Sequence, residues 1–244
     1  MAWTHIQGSG ATTAAAVTTF SITLGAAPTV GNLVCFGIII TCSTGVSSNL
    51  LVQDGNGNTY TITPNSPSSQ VTQTGGAGGG GMTGSTYAAY LVAPANASAT
   101  ITATWTNGTT SGVQMFVDEF HSSLSGIVFD TDTAGSDATG AINQTSPSIT
   151  PNHGAGELFW SISGSTNTYT APTAGATIGV WTGNAGGIQN GDAAEYVLSG
   201  ANAATAVNYT QSAVYGWSAM VVAFYTSGFS GAGFWWQMPP FMQG

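Results

Sequence analysis

A chain of 244 residues with no Lys or Arg and a formal charge of −9 has almost nothing with which to hold a phosphate backbone, so nucleic acid is excluded as a direct partner. The same absence forbids salt bridges to basic side chains: the nine acids must stay solvated, cap backbone N–H groups, pair with His5, His121 or His153, or hold a cation. With 42% hydrophobic and 10% aromatic residues the chain is too apolar to remain a solvated coil, and its length suits one all-β domain.

The opening MAWTHIQGSG lacks basic and apolar leader regions, and no apolar run approaches about 18 residues, so neither a standard secretory signal nor a membrane span is expected. Period-2 alternation then predicts strands at Trp3 to Gln7, Ala16 to Leu24, Asn32 to Thr41, Thr59 to Thr63, Thr86 to Val92 and Thr100 to Trp105. Further strands follow at Gly112 to Phe120, Glu157 to Ile162, Thr177 to Trp181, Ala194 to Leu198, Ala204 to Tyr209 and Trp217 to Tyr225. No segment carries a helical stripe. The expected fold is an antiparallel two-sheet β-sandwich spanning residues 1–227, with an extended tail at 228–244.

Within the third strand, Cys35 and Cys42 stand seven positions apart, roughly 23 Å along an extended chain and on opposite faces, so they are expected as free thiols. In DGNGNTY, Asp54 to Gly57 supply the residues of a tight turn. Residues 65–86, with GGAGGGG at their centre, read as a long glycine-rich surface loop; a phosphate cradle there lacks its lysine.

Trp105 and Trp181 are the candidates for stacking on a sugar ring. In VDEFHSS, Asp118 and Glu119 face opposite ways, which denies them a shared substrate, while Glu119 and His121 share a face and are expected to hydrogen-bond. Asp130 and Asp132 fall on one face with Asp137 nearby; they are the calcium candidates, although no metal or cofactor is expected. No nucleophile elbow or zinc motif is present, so no catalytic residue is assigned.

The tail sets Phe234, Trp235 and Trp236 in a row and ends in Pro239, Pro240 and Phe241. Diproline rules out a helix interior or central strand, and aromatic residues are enriched at the centres of interfaces. The tail is expected to leave its own domain and insert into a neighbouring subunit or particle.

The runs PTVGNLVCFGIIIT, VQDGNGNTYTIT, STYAAYLVA, ATITATWTN, VDEFHSSLSGIVFDTDTAGSDA and GWSAMVVAFYTS resemble, in order and spacing, a β-sandwich family of phage virion and bacterial surface proteins. The resemblance spans about Trp3 to Tyr225 and implies a concanavalin-like jelly roll without catalytic residues. It departs from the family in lacking Lys and Arg and in His121, where a small residue is usual. The expected function is a virion structural protein, as capsid decoration, fibre or tail-associated subunit, assembled in the host cytoplasm. Its expected partners are copies of itself, as a trimer, and other capsid or tail proteins, with a host-surface glycan as a further ligand. The alternative is a carbohydrate-binding or adhesin module, extracellular or on a cell surface.

Overall fold

A computed structural model describes the backbone of residues 3–44, 47–68, 71–73, 82–106, 109–145, 148–165, 169–171, 177–182, 191–197, 206 and 208–227. Among these residues there is no helix, and every strand pairing is antiparallel. The strands are β1 (Trp3–Thr13), β2 (Thr19–Thr23), β3 (Leu33–Thr44), β4 (Ser48–Asp54), β5 (Thr61–Ile62), β6 (Val71–Gln73), β7 (Met82–Val92) and β8 (Thr100–Thr106). They continue with β9 (Thr109–Ser122), β10 (Ile127–Thr145), β11 (Leu158–Ser165), β12 (Tyr169–Ala171), β13 (Thr177–Thr182), β14 (Gly191–Val197) and β15 (Asn208–Thr226).

Over the described residues the strands of the sandwich form three sheets rather than the expected two. A central sheet runs β1-β9-β3-β7-β5 with β6 also on β7; a second runs β10-β15-β11-β14-β13 with β12 on β15; a small third sheet is β2-β8-β4. The reason lies in β3. A half-buried strand alternates, but LVCFGIII, Leu33 to Ile40, is apolar without interruption, which suits a strand covered on both faces. Val34, Phe36, Ile38 and Ile40 pack with Ile22, Val52, Ile101 and Trp105 of the small sheet. Leu33, Cys35 and Ile39 pack instead with Leu158, Trp160, Ile162, Met220, Val222 and Phe224 of the second sheet. The two cysteines accordingly sit in different cores, both buried and neither in a disulfide.

Gly37 sets the separation of the two larger sheets at their crossing. A Cβ there would lie 2.3 Å from Cδ1 of Ile162 and 2.7 Å from Cη2 of Trp160, so only glycine lets β11 come this close.

Several expectations are corrected. Residues 65–86 are not one loop: Val71 to Gln73 pair with Gly84 to Met82, while 69–70 and 74–81 of that stretch lie outside the described residues. The strands expected at Ala204 to Tyr209 and Trp217 to Tyr225 are replaced, over the described residues, by the single 19-residue β15. Its partner β10, also of 19 residues, was not expected, because Asp, Gly and Ala are depleted in strands; pairing along the apolar β15 overrides that preference.

Candidate functional site

Two places bring a histidine and a carboxylate to hydrogen-bond distance. The first is built on β9. Asp118, fully buried between the two larger sheets, accepts from Nε2 of His5 on β1 at 2.8 Å and from Nε1 of Trp160 on β11 at 2.9 Å. The His5 ring stacks on Tyr196, with centroids 4.8 Å apart, and meets the edge of Phe120.

Glu119 turns the other way, as strand alternation requires. It accepts from Nε2 of Gln7, from the backbone N–H of Thr29 at 2.8 Å and from Nδ2 of Asn32 at 2.6 Å. Because that Asn32 nitrogen donates, its Oδ1 is the acceptor facing His121, and Nδ1 of His121 must be the donor at 2.9 Å. The direct Glu119–His121 bond expected from the sequence is therefore corrected: Asn32 stands between them.

The second place lies where β10 begins and residues 152–157 lead into β11. Phe129 pairs with Phe224 and Thr131 with Ala223, which makes Asp130 the extra residue of a bulge. Its carboxylate meets Nδ1 of His153 at 2.8 Å and accepts from the backbone N–H of Asn152 at 2.8 Å and from Nδ2 of Asn152 at 3.1 Å. The His153 ring lies flat on Tyr225, with centroids 3.6 Å apart.

The run NHGAGE closes this site. Gly154 and Gly156 take φ of +100° and +94°, a region in which a side chain is strained, and the resulting turn lets the His153 N–H donate to Oε1 of Glu157 at 3.1 Å. Nε1 of Trp3 donates to the Gly156 carbonyl at 3.2 Å and ties the turn to β1. Glu157 is fully buried, and its Oε2 has no hydrogen-bond partner. Burial, reinforced by the negative charge of Asp130 and by a hydrogen bond that the protonated acid makes to the Asp130 side chain, and opposed by the His153 N–H, pushes the Glu157 carboxyl up to about 7. One donor atom from each of Asp130, His153 and Glu157 fits within a mutual distance of 4.8 Å, a set that could hold a metal ion.

The residues singled out from the sequence fall elsewhere or apart. The bulge separates Asp130 from Asp132, which is buried and accepts instead from the backbone N–H of Asn65 at 2.9 Å and from its Nδ2 at 2.8 Å. Asp137 lies further along β10, opposite Trp217. The calcium reading of that trio is therefore corrected, since a shared face requires the unbroken alternation that the bulge removes.

Trp105 is 3% exposed and lies in the core between the small sheet and β3 of the central sheet, so it is not a sugar platform. The side chain of Trp181 and the whole tail, with Phe234, Trp235, Trp236, Pro239, Pro240 and Phe241, lie outside the described residues. Asp54 performs the turn role expected of it: its carboxylate accepts from the backbone N–H groups of Asn56, Asn58 and Ser98 and from Nδ2 of Asn58. Burial raises its carboxyl, but these donors outweigh burial and hold it below the usual range.

Sequence reasoning missed Glu157 and His153 as partners. The available signal was a histidine four residues before a glutamate with glycine at two of the three positions between, a spacing that closes a turn. No family model matches the chain, and no curated protein matches it, so a functional reading rests on geometry.

Proposed function

We propose that this protein is a virion structural subunit, acting through self-assembly and surface display rather than through turnover of a substrate. The observation that supports this reading is the use made of its few polar groups. Both carboxylate oxygens of Asp54, Asp118, Glu119 and Asp132 accept hydrogen bonds that tie strands and turns together, which leaves these acids committed to holding the fold. A chain with 4% charged residues also lacks the charge that ordinarily keeps copies apart.

On this reading the C-terminal aromatics reach a neighbouring copy, a trimer being the expected closed form, and other capsid or tail proteins are the further partners. Burying one large aromatic stabilises association by roughly 2–3 kcal/mol, so a few per subunit suffice without ion pairs. Light scattering of the full chain and of a truncation after Ser227 tests this. The full chain is expected to assemble and the truncated chain to stay folded but monomeric. Normal assembly of the truncated chain, or a specific glycan-array signal lost in Trp181→Ala, would replace the proposal with an intrachain tail or a sugar-binding module.

A further inference from the structure

We propose that Asp130, His153 and Glu157 form a binding site for one divalent transition cation of the Zn2+ class. The donor types are one imidazole nitrogen and two carboxylates, a set that suits zinc-like ions; calcium prefers oxygen ligands throughout. The donor atoms already lie within 4.8 Å of one another. On a tetrahedral zinc ion with bonds of about 2.0–2.2 Å they would sit roughly 3.4 Å apart, a closure that small side-chain rotations supply.

Independent support comes from the oxygen that has nothing to accept. Both oxygens of Asp54, Asp118, Glu119, Asp130 and Asp132 receive donors, whereas the fully buried Oε2 of Glu157 receives none. A buried, unpaired carboxylate oxygen is costly, and this chain has no Lys or Arg to answer it. A cation answers it together with the charge on Asp130.

The surroundings suit an ion. Tyr225 holds the His153 ring in plane, and Asn152 donates to both oxygens of Asp130, the kind of outer contact that orients a metal ligand. The His153 side chain is 45% exposed, which leaves a path from solvent. On binding, the cation takes the lone pair of Nδ1 of His153 in place of the hydrogen bond now made to Oδ1 of Asp130, and the neutral ring keeps its single proton on Nε2. The ion then pins the β10 bulge to the turn before β11.

The test uses the full chain, purified without a histidine tag, stripped with chelator and titrated with Zn2+ by calorimetry, with metal content measured in parallel. One zinc per chain and a raised Tm are expected, with no comparable response to Ca2+ at equal concentration. His153→Gln, at a half-exposed position that tolerates change, and Glu157→Gln, nearly isosteric, are each expected to weaken binding by at least about tenfold, while His121→Gln leaves it intact. If Glu157→Gln fails to fold, the His153→Gln comparison decides alone. Absence of zinc binding, unchanged affinity in His153→Gln, or equal binding of Ca2+ overturns the proposal.

Discussion

At His5 and at His153 the same two groups meet at the same distance, 2.8 Å from imidazole nitrogen to aspartate oxygen, yet the two places are built to different ends. At Asp118 the third participant is a donor, the Trp160 indole, and the carboxylate is satisfied on both oxygens. At Asp130 the third participant is another acid, Glu157, whose carboxyl is pushed up to about 7 by burial and by the charge of Asp130, and whose Oε2 has no donor to accept from. The difference teaches that a histidine–aspartate contact says little about function by itself. What matters is whether the next neighbour supplies hydrogens or demands them.

The closed node can be broken most severely at its acid. Asp118→Ala leaves the Trp160 indole N–H without its acceptor in the buried interface between the two larger sheets, and a loss of about 3–5 kcal/mol is expected in urea unfolding. A loss below about 1 kcal/mol would show that the node is not the brace described above. Gly37→Ala tests the same node from its other side. The added methyl meets Ile162 and Trp160, whose indole holds Asp118, and should cost about 1–3 kcal/mol. The near-ultraviolet circular dichroism of the buried indole should change with it.

The open node is sharpened by pH in the presence of chelator. The folded value of Glu157, about 7, stands above the ordinary 4.5, so the folded chain holds a proton that the unfolded chain releases. Its stabilising contribution is complete below the unfolded value and is lost as pH rises through about 7. Stability should fall by about 1–2 kcal/mol from pH 5 to pH 8, allowing for solvent screening, and Glu157→Gln should remove that part of the slope. A slope of opposite sign in the same comparison would reverse the assignment. The smallest effect is expected at His121. His121→Ala removes one exposed donor from Asn32 and should cost about 0.5–1 kcal/mol, because Glu119 keeps all three of its contacts, to Gln7, Thr29 and Asn32.

How far the sequence foretold this can be argued strand by strand. The alternation of ATITATWT put Ile101, Ala103 and Trp105 on one face, and all three are buried. The same alternation already argued against Trp105 as an exposed platform. The uninterrupted apolar run of β3 implied two covered faces, although the small sheet that provides the second cover is visible only once β2, β4 and β8 are paired.

The candidate site was less legible, for two physical reasons. A bulge is a property of two paired strands, so the sequence FDTDT alone could not reveal that Asp130 and Asp132 part company. The proximity of Glu157 to Asp130 is a long-range contact across 27 residues of chain, closed by the glycine conformations of the turn rather than by any local propensity.

The order of the sheets along the chain has a consequence for how this protein is made. Residues 3–122 contain every strand of the central and small sheets, and residues 127–226 contain every strand of the second. As the polypeptide leaves the ribosome, the first half can therefore complete one core while Leu33, Cys35, Ile39, Phe116 and Phe120 still wait for their cover. Until β11 and β15 have emerged, that bare face is the surface on which nascent chains would stick to one another. Synthesis at high copy number thus places the greatest demand on chaperones during the second half of translation, and stalled chains ending near residue 122 should aggregate more readily than full-length ones.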